Sequence, residues 1–589
     1  MFARLTKRKN DDGSVVEYLQ LAHSVREPGS KHPRNKVLLG LGRVDRDADT
    51  LRNVANGILR FLDRADVERA KIEFDDEALQ VAAGAEGGVA VHGFRSRKFG
   101  IQLLVWALWT RLGIPDFFRA RDPVRGDRNS RLAFLIVFNR LLDPRSKNAL
   151  PGWAAKEIVC DDAEQLTADA FYDVLDMIAE HDEDLQRAAF GKMRELVGEP
   201  ADLALYDTSS AAFEMCETDE EIAAREEAWT TWESGDTSLP SPDVRRPQVV
   251  NTPPTRLRGY SRDHRPDLPQ VTIGLATTER GMPIRCWTRP GNITDVSTVP
   301  DIQQDLAAMG VRDAVFIGDR GMTSKINLDF LESENVRYVV GRKLRDGSEA
   351  LVVALSTAGP MQPLDDDREF LEIADPDHPH RRLLVVRHRE RAKRDAKVRT
   401  SLTAAAMARA AKVNASKAPH PRAACDLETT RALARLLKKG EDGQLSIDDA
   451  AVEREARLDG ITVLTTNTDW PAARVLAAYQ GLLRTEDGWR TMKSTESLRP
   501  IHHRRSDRIL AHITCTALGL GLIRTVEHLT GATWQQVVRA LADVHQVQFE
   551  CGTRTHRTST ALTDEHRRLF SAVGASSHLR FARDGWTAM

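Results

Sequence analysis

Two short apolar runs in the chain each end in an aspartate: Leu203-Ala-Leu-Tyr-Asp207 and Ala314-Val-Phe-Ile-Gly-Asp319. Unbroken apolar runs of this length mark strands buried on both faces, as in the parallel part of a sheet covered by helices. A carboxylate that closes such a run emerges at the strand end, and two from neighbouring strands stand at one edge of the sheet. An ordinary alternative exists for each residue alone, since aspartate after a strand also caps a helix or opens a turn.

The segments around these runs alternate in a definite order. Strand-like stretches at Leu203 to Tyr206, Gln270 to Ala276 and Met282 to Trp287 precede a helical stretch at Val296 to Met309. A strand at Ala314 to Gly318, a helix at Lys325 to Glu334 and a strand at Val336 to Gly341 follow. The order βββαβαβ predicts an α/β core, a mixed five-stranded sheet with an antiparallel meander and parallel crossovers. This is the order of the ribonuclease-H-like fold. Between 343 and 459 the alternation gives way to polar strands, alanine-rich helices and the basic run Arg387 to Arg399, which predicts an insertion domain. Gly460 to Asn467 then reads as a strand returning to the sheet, and Pro471 opens a helix, as proline does in a first turn.

That last helix carries a third acid. Tyr479, Leu482/Leu483, Glu486, Trp489/Arg490 and Lys493 recur at steps of three and four and share one face. A carboxylate in an apolar stripe is costly unless a cation or metal partners it. The alternative is a solvated Glu486–Arg490 pair. Gly488 weakens the helix and leaves Asp487-Gly488 as a turn signal. Three carboxylates from two strand ends and a helix face offer the hard oxygen ligands that Mg²⁺ prefers.

At 589 residues the chain is long enough for several compact units. The formal net charge of -2 hides basic clusters at Arg4 to Lys9, Arg381 to Arg399 and Arg499 to Arg508, a distribution compatible with a DNA-binding face. The six cysteines show no C-x-x-C pair, so neither a zinc knuckle nor a disulfide framework is indicated. No signal-peptide pattern opens the chain, and no uninterrupted apolar run reaches the roughly 20 residues of a membrane span. A cytoplasmic protein without a membrane partner is expected. His502, His503 and His512 lack a metal spacing with the acids and read as surface or core histidines.

Taken together, Tyr206-Asp207-Thr208, Gly259-Tyr-Ser-Arg-Asp-His-Arg-Pro-Asp-Leu-Pro-Gln270, Gly318-Asp319-Arg320-Gly321-Met322 and Tyr479-x6-Glu486-x6-Lys493 resemble the DDE transposases of bacterial insertion sequences. The branch is the one with a Tyr-Arg-Glu-Lys signature, although Leu482 stands at its arginine position, with Arg484 and Arg490 nearby. The resemblance covers Leu203 to His512, apart from the insertion. It implies that Asp207, Asp319 and Glu486 hold two Mg²⁺ ions, with Mn²⁺ as a substitute, at the spacing of about 4 Å typical of two-metal nucleases. It implies cleavage at element ends and joining of the 3′-OH ends to target DNA. Tyr479, Arg490, Lys493, Arg320 and Arg262 are the expected DNA-binding residues, although a turn-rich hairpin approach is the more economical account of the segment around Arg262.

The partners so implied are double-stranded DNA, as terminal inverted repeats and target, and a second copy of the chain in a homodimer or larger assembly, acting at the nucleoid. Six regions are expected: 1–95, strand-rich and helical, for DNA-end recognition; 96–200, helical; 201–342, the first part of the core; 343–459, the insertion; 460–525, the second part with the Glu helix; and 526–589, a helical tail. A ribonuclease-H-like nuclease without strand transfer and a noncatalytic DNA-binding protein are the competing readings.

Overall fold

The computed structural model describes residues 2–9, 15–25, 34–43 and 91–577, except 161, 235–244, 312–313, 323, 343–359, 376–377, 379–380, 416–429, 442, 552–553 and 561. The apolar spacing from Ala48 to Asp76 predicts a helix and the run Leu351 to Leu355 a strand, and both lie outside the described residues.

Strands β1 (Phe2–Lys9), β2 (Val15–Val25) and β3 (Arg34–Arg43) form an antiparallel sheet in that order. After β4 (Val91–Lys98) come six helices: α1 (Gly100–Arg111), α2 (Ile114–Arg121), α3 (Gly126–Leu142), α4 (Leu150–Glu157), α5 (Ala168–Glu180) and α6 (Asp182–Val197). Then follow β5 (Leu203–Ala212), α7 (Asp219–Glu233), β6 (Gln270–Thr277), β7 (Pro283–Pro290), α8 (Asp295–Ala308), β8 (Val315–Gly318), α9 (Lys325–Ser333) and β9 (Tyr338–Arg342).

The middle of the chain adds β10 (Gln362–Pro363), β11 (Arg368–Ala374), β12 (Arg382–His388), α10 (Arg389–Asn414), α11 (Arg431–Ala434), β13 (Leu437–Lys439), β14 (Leu445–Ile447) and α12 (Asp449–Arg457). The last part comprises β15 (Ile461–Thr466), α13 (Ala472–Gln480), α14 (Leu482–Arg490), α15 (Ser506–Thr530), α16 (Trp534–Ala540), β16 (His545–Cys551), β17 (Arg554–Ser559) and α17 (Asp564–Ala572).

The central sheet has nine strands in the order β10-β11-β12-β15-β9-β8-β5-β6-β7. Its middle is the expected mixed arrangement: β5, β8 and β9 run parallel, while β6 and β7 form the antiparallel meander. The expected count of five is corrected by four further strands. The returning strand β15 pairs antiparallel with β9, and β12, β11 and β10 extend the sheet beyond it. Leu384 and Val386 of β12 pack with Leu464 of β15 in the same apolar cluster as β5, so the insertion's strands are continuous with the core.

Alternation along the strands explains the two covered faces. Leu203, Leu205, Val315 and Ile317 lie on one face with Val475 and Leu476 of α13. Ala204, Tyr206 and Phe316 lie on the other with Val299 and Ile302 of α8 and Leu328 of α9. Each fully buried side chain of this size contributes roughly 1.5–3 kcal/mol.

A third apolar cluster joins the helices that precede β5 to the last part of the chain. Helices α1, α3, α5, α6 and α15 pack there with Ala211, Phe213, Val271, Ile273 and Leu275 from the ends of β5 and β6. Helix α15 is long and apolar enough to cross a membrane, yet 89% of its apolar window is buried inside the protein. The region expected as a helical tail also supplies strands, because β16 pairs with both β17 and β4.

Packing around α15 is tight enough to require small residues. A Cβ at Gly519 would overlap Glu496 Oε2 and lie 3.2 Å from Leu141 Cδ2. Overfilling so close a contact costs about 1–3 kcal/mol. Gly519→Ala should therefore lower the free energy of urea unfolding by that amount, moving the midpoint down while the slope of the transition stays unchanged.

Candidate active site

In the parallel ladder Tyr206 of β5 stands opposite Gly318 of β8, so Asp207 and Asp319 are each the next residue beyond one matched pair. Two pleated strands in register thus bring the acids to the same level of the sheet. Asp207 does not end its strand, however. Strand β5 continues to Ala212, paired only with β6 once β8 has stopped at Gly318. By alternation, Asp207 shares the face of Leu203 and Leu205, over which α13 lies.

The helix expected to start at Pro471 is broken. Pro471 is the N-cap of α13, and Gly481 separates α13 from α14. A Cβ at Gly481 would stand 3.2 Å from Leu205 Cδ1, so this junction sits directly on β5. Beyond α14 a π-helical turn, Thr491–Thr495, carries Lys493.

The stripe assigned to the core is also corrected. The buried residues of α14 and the following turn are Thr485, Gly488, Trp489 and Met492, one position round the helix from Glu486. Glu486 is exposed. Gly488 is no turn: it lies inside α14, where a Cβ would be 3.4 Å from Leu275 Cδ2 and Leu520 Cδ2. Small residues let the helix approach the sheet, so the acid lies on its flank.

Asp207, Asp319 and Glu486 line a single cleft of about 780 Å³. Its walls also carry Arg320, Arg342, His388, Arg391 and Tyr479. The donor chemistry fits a hard divalent cation, because the acids are carboxylates without a thiol among them. Their spacing differs from the expected closed cluster. Among the described residues, no group of three or more His, Cys, Asp or Glu side chains stands close enough to hold a metal. The register of two strands sets the aspartates together, whereas Glu486 reaches them only across the cleft from an exposed helix flank.

Tyr479 donates a hydrogen bond of 3.3 Å to Asp319 Oδ1. Burial, with Asp319 alongside, raises the phenol well above its ordinary pKa, which keeps it a neutral donor. Lys493 is half-buried and pairs with Asp263 Oδ1 at 3.2 Å, a partner it shares with Arg499. Burial lowers the Lys493 ammonium from its ordinary value, and Asp263 offsets part of that shift. Arg490 is exposed and pairs with Asp487 at 2.8 Å. Neither of these two residues lines the cleft. Arg262 is bound to β5: its backbone N–H donates to Ser210 Oγ at 3.0 Å and its guanidinium to Thr208 Oγ1. Arg320 is exposed in the turn after Asp319, on the cleft wall.

Sequence reasoning missed His388, Arg342 and Arg391 as cleft residues. The signal for two of them was the basic run that opens α10, where Arg391 donates to Thr462 Oγ1 of β15 at 3.2 Å. His503 and His512 behave as core histidines. Burial pushes His503 down to about 3 and His512 well below its ordinary range, so both are neutral near pH 7.

The matching family models agree with the motifs. Residues 3–71 match the family described as IS1634 family transposase, N-terminal domain, and residues 247–520 match the transposase DDE domain. The chain belongs to the DDE transposases of insertion sequences. The second match begins after β5, so it includes Asp319 and Glu486 but not Asp207. No curated protein matches this transposase. One solved structure, the cryo-EM structure of a piggyBac transposase synaptic complex with hairpin DNA, is 10% identical over 83% of this chain and 82% of that chain, with a TM-score of 0.31.

The contact between Tyr479 and β9 gives a test of the local packing. A Cβ at Gly341 would stand 2.5 Å from the Tyr479 hydroxyl. Gly341→Ala should displace the phenol from Asp319 and cost about 1–3 kcal/mol of stability, measured by chemical denaturation.

Proposed function

We propose that this transposase cuts DNA at the ends of an insertion sequence and joins the freed 3′-OH ends to target DNA, with Asp207, Asp319 and Glu486 as the catalytic carboxylates. The observation that carries the reading is the single cleft lined by all three acids, two of them each one residue beyond the matched Tyr206–Gly318 pair of the β5–β8 ladder. Asp207, Asp319 and Glu486 would together hold divalent metal, Mg²⁺ or Mn²⁺. When bound, a pair of such ions supplies activation of water or a 3′-hydroxyl and stabilisation of the leaving oxygen.

The chain's own residues have distinct tasks in this account. Tyr479 holds Asp319 through its hydroxyl and limits the directions the carboxylate can take. Glu486, exposed on the flank of α14, supplies the third carboxylate from across the cleft. Arg320 and Arg391 offer guanidinium forks to phosphates entering the cleft. Arg490 is exposed and free to exchange Asp487 for a phosphate at little cost, since exposed pairs contribute about 0–1 kcal/mol. Lys493 and Arg262 are tied more firmly to the protein and orient the loop that leads into β6. Contacts of this kind position DNA without reading its sequence.

Recognition of the element ends falls to the N-terminal strands and helices. A paired assembly of two copies on two ends follows from the need to cut both. The alternative within enzymes is a nuclease that cuts without joining.

Asp319→Asn should leave the dissociation constant for end DNA within about threefold of the parent. Divalent-dependent cleavage should fall by a factor on the order of 10³, a loss of about 4 kcal/mol of transition-state stabilisation. Unchanged cleavage would remove Asp319 from the mechanism. Chelation of divalent metal should abolish cleavage and restoring Mg²⁺ should recover it. A labelled 3′-OH oligonucleotide should appear joined to target DNA; fragments alone would favour the nuclease.

A further inference from the structure

Ten residues beyond Glu486 the chain enters a buried polar knot that holds the end of the Glu-bearing helix. Arg140 of α3, 7% exposed, donates from Nη1 to the carbonyl oxygens of Glu496, at 3.1 Å, and Ser497, at 2.8 Å. Its Nη2 lies 2.9 Å from His512 Nδ1 of α15. Arginine has no acceptor, so Nδ1 carries the lone pair and the proton sits on Nε2. That Nε2–H donates to the carbonyl of Leu498 at 3.0 Å. Three successive carbonyls, at 496, 497 and 498, are thus bound by one guanidinium and one imidazole.

These bonds fix the chain where it leaves the π-helical turn. Glu496 N–H still donates back to Thr491 at 3.2 Å, and Leu498 N–H to Met492 at 2.9 Å. Ser497, between them, adopts a positive φ of 47°. From Leu482 to Thr495 the chain is helical without interruption. Gly481 seats the start of this segment on Leu205 of β5, and the knot seats its end against α3 and α15. Glu486 and Lys493 lie between the two anchors.

The knot is an expensive way to satisfy three carbonyls. Burying a guanidinium carries a large desolvation penalty before compensation. Arg140 Nε and both carboxylate oxygens of Glu496 are buried without a hydrogen-bond partner. A neutral amide could serve a carbonyl at lower cost. A planar guanidinium, however, spans neighbouring acceptors in a fixed geometry.

We propose that Arg140 is a positioning residue of the transposase: by gripping the carbonyls of Glu496 and Ser497 it sets where Glu486 and Lys493 stand over the cleft. This rests on the reading of Glu486 as a catalytic carboxylate. Arg140 is not among the residues that line the cleft and acts through the helix it caps. Its effect is on the rate of the chemical step, with little effect on DNA affinity.

The test compares the full-length parent with Arg140→Gln, Arg140→Lys and Glu486→Gln. The measurements are the dissociation constant for end DNA, the single-turnover cleavage rate with Mg²⁺, and amide hydrogen exchange. For Arg140→Gln the expected result is DNA affinity within twofold of the parent and cleavage slowed at least tenfold. Amide exchange should accelerate between 491 and 498 while α6 and the first half of α15 keep their protection. Arg140→Lys, which retains the charge and reaches one carbonyl, should recover part of the rate. A parent-like rate in Arg140→Gln would overturn the proposal, as would a loss of affinity and rate together with exchange accelerated throughout the helical layer. If Arg140→Gln does not fold, Arg140→Lys decides: selective slowing supports the role and a parent-like rate overturns it. Glu486→Gln separates the two readings, because parent-like cleavage in that variant would refute the assignment of Glu486 itself, whatever Arg140 does.

Discussion

The parallel ladder between β5 and β8 is the constraint on which the rest of the architecture depends. Hydrogen bonding sets Tyr206 against Gly318, and burial of alternate residues on the two covered faces locks that register. A slip of one residue would turn every side chain to the opposite face, moving Leu203 and Leu205 off the α13 face. The levels of Asp207 and Asp319 are therefore a consequence of core packing. The stability of the sheet and the placement of the two acids share one cause.

The third acid is held differently, by a helix that must come close to the sheet without being buried. Thr485 and Gly488 face inward with Trp489 and Met492, leaving Glu486 exposed beside the cleft. The cleft is also lined by β9, the end of β12, β15 and the first turns of α10, with Arg342, His388 and Arg391. The extension of the sheet by β12 and β15 is what carries the start of α10 to that position. Acids and guanidinium groups thus meet in a channel built by segments far apart in the chain.

Much of the core was legible because its signals are local. Apolar runs at 203–206 and 314–318, the meander at 270–287 and the returning strand at 461–466 all follow from burial on two faces. The strands β10–β12 were not placed in the sheet, because β12, through which β11 and β10 join it, pairs with β15, a partner some 80 residues away that periodicity does not reveal. The face of α14 was misjudged for a simple reason: its inward positions include threonine and glycine, which an apolar count ignores, so the stripe through Glu486 looked like the core face. The grip of Arg140 on the carbonyls at 496 and 497 spans 356 residues or more and leaves no local trace in the sequence. Tyr479, by contrast, was placed by its step from Glu486, and its bond to Asp319 agrees with that placement.

The central claim is that residues 207, 319 and 486 form one cation-binding centre. Metal-directed cleavage of the protein backbone tests it most directly: Fe²⁺ replaces Mg²⁺ in the complex with end DNA, and ascorbate and peroxide generate radicals at the bound ion. The account predicts simultaneous cuts near 207, 319 and 486 that disappear when Mg²⁺ is added in excess. Cuts at only one of these segments, or a pattern that Mg²⁺ does not suppress, would contradict it.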